Sequence, residues 1–261
     1  MSDAASIPVD ANARRRIHVG VGGWTYEPWR NNFFPQGLPH SQELSYASRR
    51  LTAIEVNGTY YSTFKPAIFA KWRDETPDGF VFSLKANRFA TNRKLLATAG
   101  ESIERFVDSG IAQLGDKLGP LVWQFMPTKP FDAQDFEAFL ALLPRSVEGR
   151  ALRHVLDVRH ESFRSPDYLP LARRYGCTTV HTDSDKFPGI ADDRNDLAYI
   201  RLMRSEAACE TGYPPPVLAQ WAQGALAWSA GAPAREVFIF LINGAKERAP
   251  AAALALIQRL S

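Results

Sequence analysis

Apolar positions along this chain fall into two alternating rhythms. Short runs rich in valine, isoleucine, leucine and phenylalanine recur at 17–22, 53–57, 80–86, 119–125, 152–158, 178–183, 197–202 and 236–242. Their length and content predict eight buried strands, β1 to β8 in that order. Most are separated by stretches with helical spacing, at 41–50, 66–75, 101–114, 133–143, 166–175, 215–229 and 249–260. Ser41 is the expected N-cap of the first helix with Glu43 in its opening turn, and Pro166 suits the start of another. The interval 184–196, SDKFPGIADDRND, is acidic and aperiodic, so a sixth helix is expected to be reduced or missing. Alternating strands and helices predict a parallel sheet, and eight such units predict an α/β protein with a single (β/α)8 TIM-type barrel. After β1 comes WTYEPWRNNFFPQGLPH, an aromatic, proline-rich loop longer than the roughly 2 to 6 residues usual for such connections.

The downstream ends of these strands carry groups that apolar runs rarely contain: Glu55 and Asn57, Lys85 and Asn87, Gln124, Asp157 and Arg159, His181 and Asp183, Arg201, and Asn243. Barrel chemistry is built at that end of the strands. Two-residue alternation puts Ala53, Glu55 and Asn57 on one inward face, Val81, Ser83, Lys85 and Asn87 on another, and Val155, Asp157 and Arg159 on a third. Val122 precedes Gln124, Tyr199 precedes Arg201, and Ile239 and Leu241 precede Asn243 on the corresponding expected faces. Charges in a lumen must pair or meet water or ligand. Two readings follow. Glu55, Lys85, Asp157, Arg159 and Arg201 form a salt-bridge network that closes the barrel top, or they hold an acid or base beside cationic clamps.

Composition narrows the picture. A chain of 261 residues with 45% apolar content fills one core, giving a single domain over 15–261 after a loose tail over 1–14. The tail has no apolar core of a signal peptide, and no run approaches the ~20 apolar residues of a membrane helix. Cys177, read as buried at the start of β6, and Cys209 match no metal or redox spacing, which suits a reducing cytoplasm. The net charge of +3 gives no bulk argument for nucleic acid. Lys85, Arg88, Arg93 and Lys94 do cluster in one connection, either as a solvated loop or as phosphate contacts of a nucleic-acid-binding barrel. In that alternative the β1-loop aromatics Trp24, Tyr26, Trp29, Phe33 and Phe34 stack bases; otherwise they pack the loop or wall a sugar site.

GVGGW lacks the remaining glycine and immediate helix of a dinucleotide fingerprint, and no phosphate loop, nucleophile elbow or H-E-x-x-H motif occurs. No cofactor is expected. The five histidines are scattered, and only His181 beside Asp183 or His160 beside Asp157 is placed to ligate, so no metal is expected either. No sequence feature bears on oligomeric state.

The segments GVGGWTYEPWRNNFFP, EVNGTYYSTF, SLKAN, LGPLVWQFMP, DVRHESF, the RL of YIRL, and FLINGAKERAPAAA resemble, in order, the motifs of the YecE-like family. The likeness runs over about 17–260 and implies a (β/α)8 barrel with a polar cavity at the strand C-termini. It falls on Gly22, Trp24, Tyr26, Trp29, Glu55, Asn57, Tyr61, Lys85, Gln124, Pro127, Arg159, Arg201 and Asn243. Family members often carry Glu at Asp157, His at Asn92 and His-Gly at Met203-Arg204, so a mechanism that needs either histidine does not transfer. The combined expectation is an acid/base enzyme, a hydrolase, isomerase or lyase, acting on a small anionic sugar or nucleotide derivative. Glu55, Lys85 and Asp157 are its candidate catalytic residues. Lys85, Arg159 and Arg201 hold the anion, and Asn57, Gln124 and Asn243 read hydroxyls or amides. Trp24, Tyr26, Tyr61 and Asp183 complete the substrate-binding set.

Overall fold

Eight parallel strands close on themselves in a computed structural model that describes residues 11–261. They are β1 (Ile17–Gly22), β2 (Ala53–Val56), β3 (Val81–Lys85), β4 (Leu118–Gln124), β5 (His154–Asp157), β6 (Thr178–Thr182), β7 (Leu197–Leu202) and β8 (Glu236–Leu241). Each pairs with its sequence neighbours, and β8 returns to β1 through Ile17 opposite Val237 to Val21 opposite Leu241. The principal helices of the crossovers are Glu43–Ser48, Pro66–Glu75, Gly100–Val107, Ala133–Ala141, Tyr168–Arg174, Pro215–Ala230 and Ala249–Leu260. Residues 183–196 contain no helix, as their aperiodic sequence predicts. The architecture is the expected TIM-type barrel.

Strands covered on both faces bury nearly every side chain, which is why their sequences read as continuous apolar runs. One core lies between strands and helices and holds Val19, Ile54, Phe82, Trp123, Leu156 and Ile239. The other fills the lumen with Val81, Val122, Val155, Val180, Tyr199, Phe238 and Phe240. Gly20 permits the tightest approach between neighbouring strands: a Cβ there would sit 1.8 Å from the Ala53 carbonyl oxygen. Below the lumen core, His18 stacks on Phe238 at 4.6 Å and bonds Glu236 at 2.9 Å, while Arg153 pairs with the other Glu236 oxygen.

Four expectations are corrected. In β8 the inward residues are Phe238, Phe240 and Ile242, with Ile239 and Leu241 outward, because VFIFLI is apolar throughout and offers no alternation to phase. The predicted 101–114 helix ends at Val107, and a 3-10 segment, Ile111–Lys117, follows Gly110. Ser41 sits inside a 3-10 turn, His40–Gln42, rather than capping; the neighbouring Glu43 is buried and takes Arg30 at 2.7 Å and His40 at 2.9 Å, tying down the β1 loop. Finally, residues 11–14 of the expected loose tail belong to a short helix, Ala11–Arg15, docked through buried Ala13, and positions 1–10 lie outside the described residues. A two-stranded ribbon pairing Ser146–Val147 with Arg150–Ala151 was not foreseen; Glu148 and Gly149 turn it with positive φ. Among the described residues no helix is long and apolar enough to cross a membrane.

Candidate functional site

The strand C-termini surround a cleft of about 530 Å³. Its floor is a charged layer laid directly on the lumen core. Arg201, at the end of β7, bridges two carboxylates: Nη2 donates to Glu55 Oε1 at 3.0 Å and Nη1 to Asp157 Oδ2 at 2.5 Å. Arg159 adds a second guanidinium to Asp157 Oδ2, at 2.8 Å from Nη2, and the same nitrogen donates to Gln124 Oε1 at 2.7 Å. The Tyr199 hydroxyl donates to Glu55 Oε2 at 2.7 Å and lies 2.8 Å from Ser83 Oγ. Glu55, Asp157 and Arg201 are 0%, 2% and 1% exposed, and of these three only Arg201 reaches the cleft wall. Burial alone would raise the Asp157 carboxyl, but the charges of Arg159 and Arg201 outweigh it and hold the group below its ordinary value.

Lys85 stands apart from this network. It is buried, lines the cleft from the end of β3, and has its ammonium 4.2 Å over the Tyr60 ring. Among the described residues it has no carboxylate at ion-pair distance. Burial, then the Arg201 charge, lowers its pKa to about 7 against the opposing pull of Glu55 and Asp157. Two guanidiniums offset two carboxylates in the floor, so Lys85 and Lys246 are the uncompensated amines of the wall. Burial also lowers Lys246, whose ammonium lies 4.1 Å over the Tyr26 ring.

The lowered Lys85 value has a stability consequence with a definite sign. Between about 7 and 10.5 the unfolded chain binds the proton that the folded chain has released, so folding gains stability as pH rises through that interval. Substitution of Lys85 by methionine removes the term. Denaturant titrations should find Lys85→Met more stable than wild type near neutrality, with the difference shrinking towards pH 10. A constant difference across that range would place Lys85 in a solvated setting.

Of the remaining sequence candidates, Trp24, Asn57, Tyr61, Gln124 and Asn243 line the cleft. Trp24 is held edge-on against Trp72 at 5.1 Å. The oxygen of Gln124 is used by Arg159 and Arg201, while its amide nitrogen, like the side-chain amides of Asn57 and Asn243, has no partner among the described residues. Tyr26 packs edge-on against Trp29 at 5.6 Å, behind Lys246 rather than in the wall. Asp183 is placed elsewhere: Oδ1 accepts the Met203 backbone N–H at 2.6 Å and Oδ2 accepts the Tyr213 hydroxyl at 2.7 Å. His160 caps its own turn through Ser162, and His181 packs against Trp221 outside the lumen. Among the described residues no cluster of three or more His, Cys, Asp or Glu forms a metal cage.

The basic connection is also dispersed. Arg93 folds back, donating to Phe89 O at 2.8 Å and Ser102 Oγ at 2.8 Å, and Lys85 lies in the cleft. Sequence reading missed Lys246, Tyr60 and Phe187, whose ring sits 4.4 Å from the Arg159 guanidinium. Tyr60 and Phe187 look like packing residues, and Lys246 lies beyond a strand, at the start of the 3-10 turn Lys246–Arg248. Tyr199 was legible as the inward neighbour of Arg201, but not as a ligand of Glu55.

Comparison with known proteins places this geometry. The profile described as "Protein of unknown function DUF72" matches residues 18–261. The UPF0759 protein YecE of Escherichia coli strain K12 is 24% identical over 147 residues, 56% of this chain, and the match spans only 50% of that relative. A solved DUF72 family protein from Thermotoga maritima MSB8 superposes with a TM-score of 0.71 at 22% identity, covering 93% of this chain and 96% of the other. One from Enterococcus faecalis V583 gives 0.71 at 16% identity, covering 94% of each chain. At such identities the superpositions speak for the fold, while the profile spans nearly the whole barrel with its polar mouth. The chain belongs to the DUF72 family.

Proposed function

We propose that the cleft binds a small anion-bearing substrate and that Lys85 moves a proton on it. The supporting observation is the division of labour in the mouth. Glu55 and Asp157 are committed to Arg201, Tyr199 and Arg159 beneath the cleft, whereas the Lys85 amine lines it without an ion pair among the described residues. An amine with a pKa of about 7 is divided between free base and ammonium at neutral pH, the condition for general acid–base work. Lys246 supplies uncompensated charge for a phosphate or carboxylate, Arg159 and Arg201 present guanidinium donors at the wall, and the amides of Asn57, Gln124 and Asn243 supply donors and acceptors for hydroxyls. This favours isomerisation or elimination by proton abstraction over hydrolysis between Glu55 and Asp157, because neither carboxylate reaches the cleft wall. Arg93 folds back onto Phe89 and Ser102, so phosphate contacts along 85–94 would fall to the exposed Arg88 and Lys94.

The test is deuterium incorporation from D2O into carbon-bound positions of sugar phosphates and nucleotides, followed by NMR. Exchange should rise with pH through about 7 as Lys85 loses its proton. Lys85→Met should slow it by about 10²–10⁴-fold. Exchange that survives this substitution, or wild-type protein that binds no anion, would end the proposal.

A further inference from the structure

The cleft continues sideways onto a surface with a different chemistry. Tyr61 lines both the cleft and a side recess of about 110 Å³ whose walls include Asn87, Phe89 and Phe106. Tyr61 and Phe89 are 62% and 59% exposed, the two most exposed large apolar residues among those described. The Arg88 guanidinium lies 5.8 Å from the Tyr61 ring and 5.5 Å from the Phe89 ring. The group is anchored from both sides. Tyr61 rests edge-on against Tyr60 at 5.0 Å, the ring under the Lys85 ammonium, and Arg93 ties the Phe89 carbonyl to Ser102. Held rings open to water cost free energy that a stacking ligand recovers.

We infer that Tyr61, Arg88 and Phe89 form a stacking rim for a nucleobase whose phosphate lies in the adjoining cleft, which makes the substrate class a nucleotide. The inference rests on the anion-binding reading of the cleft and narrows it. Exposed aromatic faces interleaved with a guanidinium suit a planar π-system carried on a negative charge, and they are sequence-tolerant because every base has such a face. A sugar phosphate meets the cleft chemistry but leaves the rim bare. The base–phosphate unit occurs both in free nucleotides and at the end of a single strand, and the two sources are separable.

Calorimetric titration with adenosine 5′-monophosphate, ribose 5-phosphate, inorganic phosphate and a tetra-adenylate provides the test. Adenosine monophosphate should bind about tenfold or more tightly than ribose 5-phosphate. In the Arg88→Ala/Phe89→Ala double variant that advantage should vanish while ribose 5-phosphate binds as before, since neither residue lines the cleft. Equal affinities in the wild type, or an advantage untouched by the double variant, overturn the stacking rim and leave the anion site standing. Absence of binding by all of these probes overturns both. With the advantage present, tetra-adenylate binding that exceeds the mononucleotide and falls steeply with salt assigns a strand; equal affinities assign a free nucleotide.

Discussion

Replacing Arg201 with leucine should cost about 3–5 kcal/mol of folding stability, because it takes an ion-pair partner from two carboxylates below the reach of solvent and strands one of them. Glu55 and Asp157 each take a guanidinium nitrogen from this one side chain, and all three residues are buried. Asp157 retains Arg159, but Glu55 keeps, among the described residues, only the Tyr199 hydroxyl as a hydrogen-bond partner. The loss should therefore track Glu55. Adding Glu55→Gln to the leucine variant should recover more stability than adding Asp157→Asn, a pattern that guanidinium denaturation can resolve as non-additive shifts in midpoint at constant slope. A midpoint change in Arg201→Leu equivalent to less than about 1 kcal/mol would mean the layer is as solvated as a surface ion pair.

An effect of at least similar size is expected from the addition of one methyl group. A Cβ on Gly20 would lie 1.8 Å from the Ala53 oxygen and 2.6 Å from its carbonyl carbon, and both obstacles are backbone. No rotamer change relieves that contact. Gly20→Ala must push β1 away from β2, breaking the pairing that runs from Gly20–Ala53 to Gly22–Glu55 and opening the barrel beside its own charged layer. The expected cost exceeds about 4 kcal/mol, in the range reserved for severe core defects. Soluble yield and thermal midpoint read it directly. A Gly20→Ala protein with near-native stability would show that the two strands separate more easily than their geometry implies.

Periodicity disclosed the barrel because each strand is a bounded apolar run and most crossovers hold an amphipathic segment. It failed where that contrast vanished. VFIFLI has no polar member, so its phase was undetermined, and the break near Gly110 is a local backbone event inside an otherwise helical pattern. The site was legible at the level of strand ends: alternation brought Glu55, Lys85, Gln124, Asp157, Arg159 and Arg201 to one mouth. Depth within the mouth was not legible. Whether a carboxylate faces ligand or lies beneath an arginine depends on layer height and on which guanidinium reaches it, properties set by barrel closure rather than by any one strand. Asp183 illustrates the other limit, since its diversion to Met203 and Tyr213 depends on residues twenty and thirty positions away. The pairing of Lys246 with the cleft likewise joins the β8 and β1 loops, through Tyr26 and the Trp29 hydrogen bond to the Lys246 carbonyl.

The aromatic filling of the lumen sets a condition on traffic. Tyr199, Phe238 and Phe240 occupy the space under Arg201, and His18, Glu236 and Arg153 lie at the far end. The barrel is thus a cup rather than a tube. Under the proposed function, arrival and departure would share one opening, so a molecule lingering at the floor would block its successor, and a product resembling its substrate would compete with it.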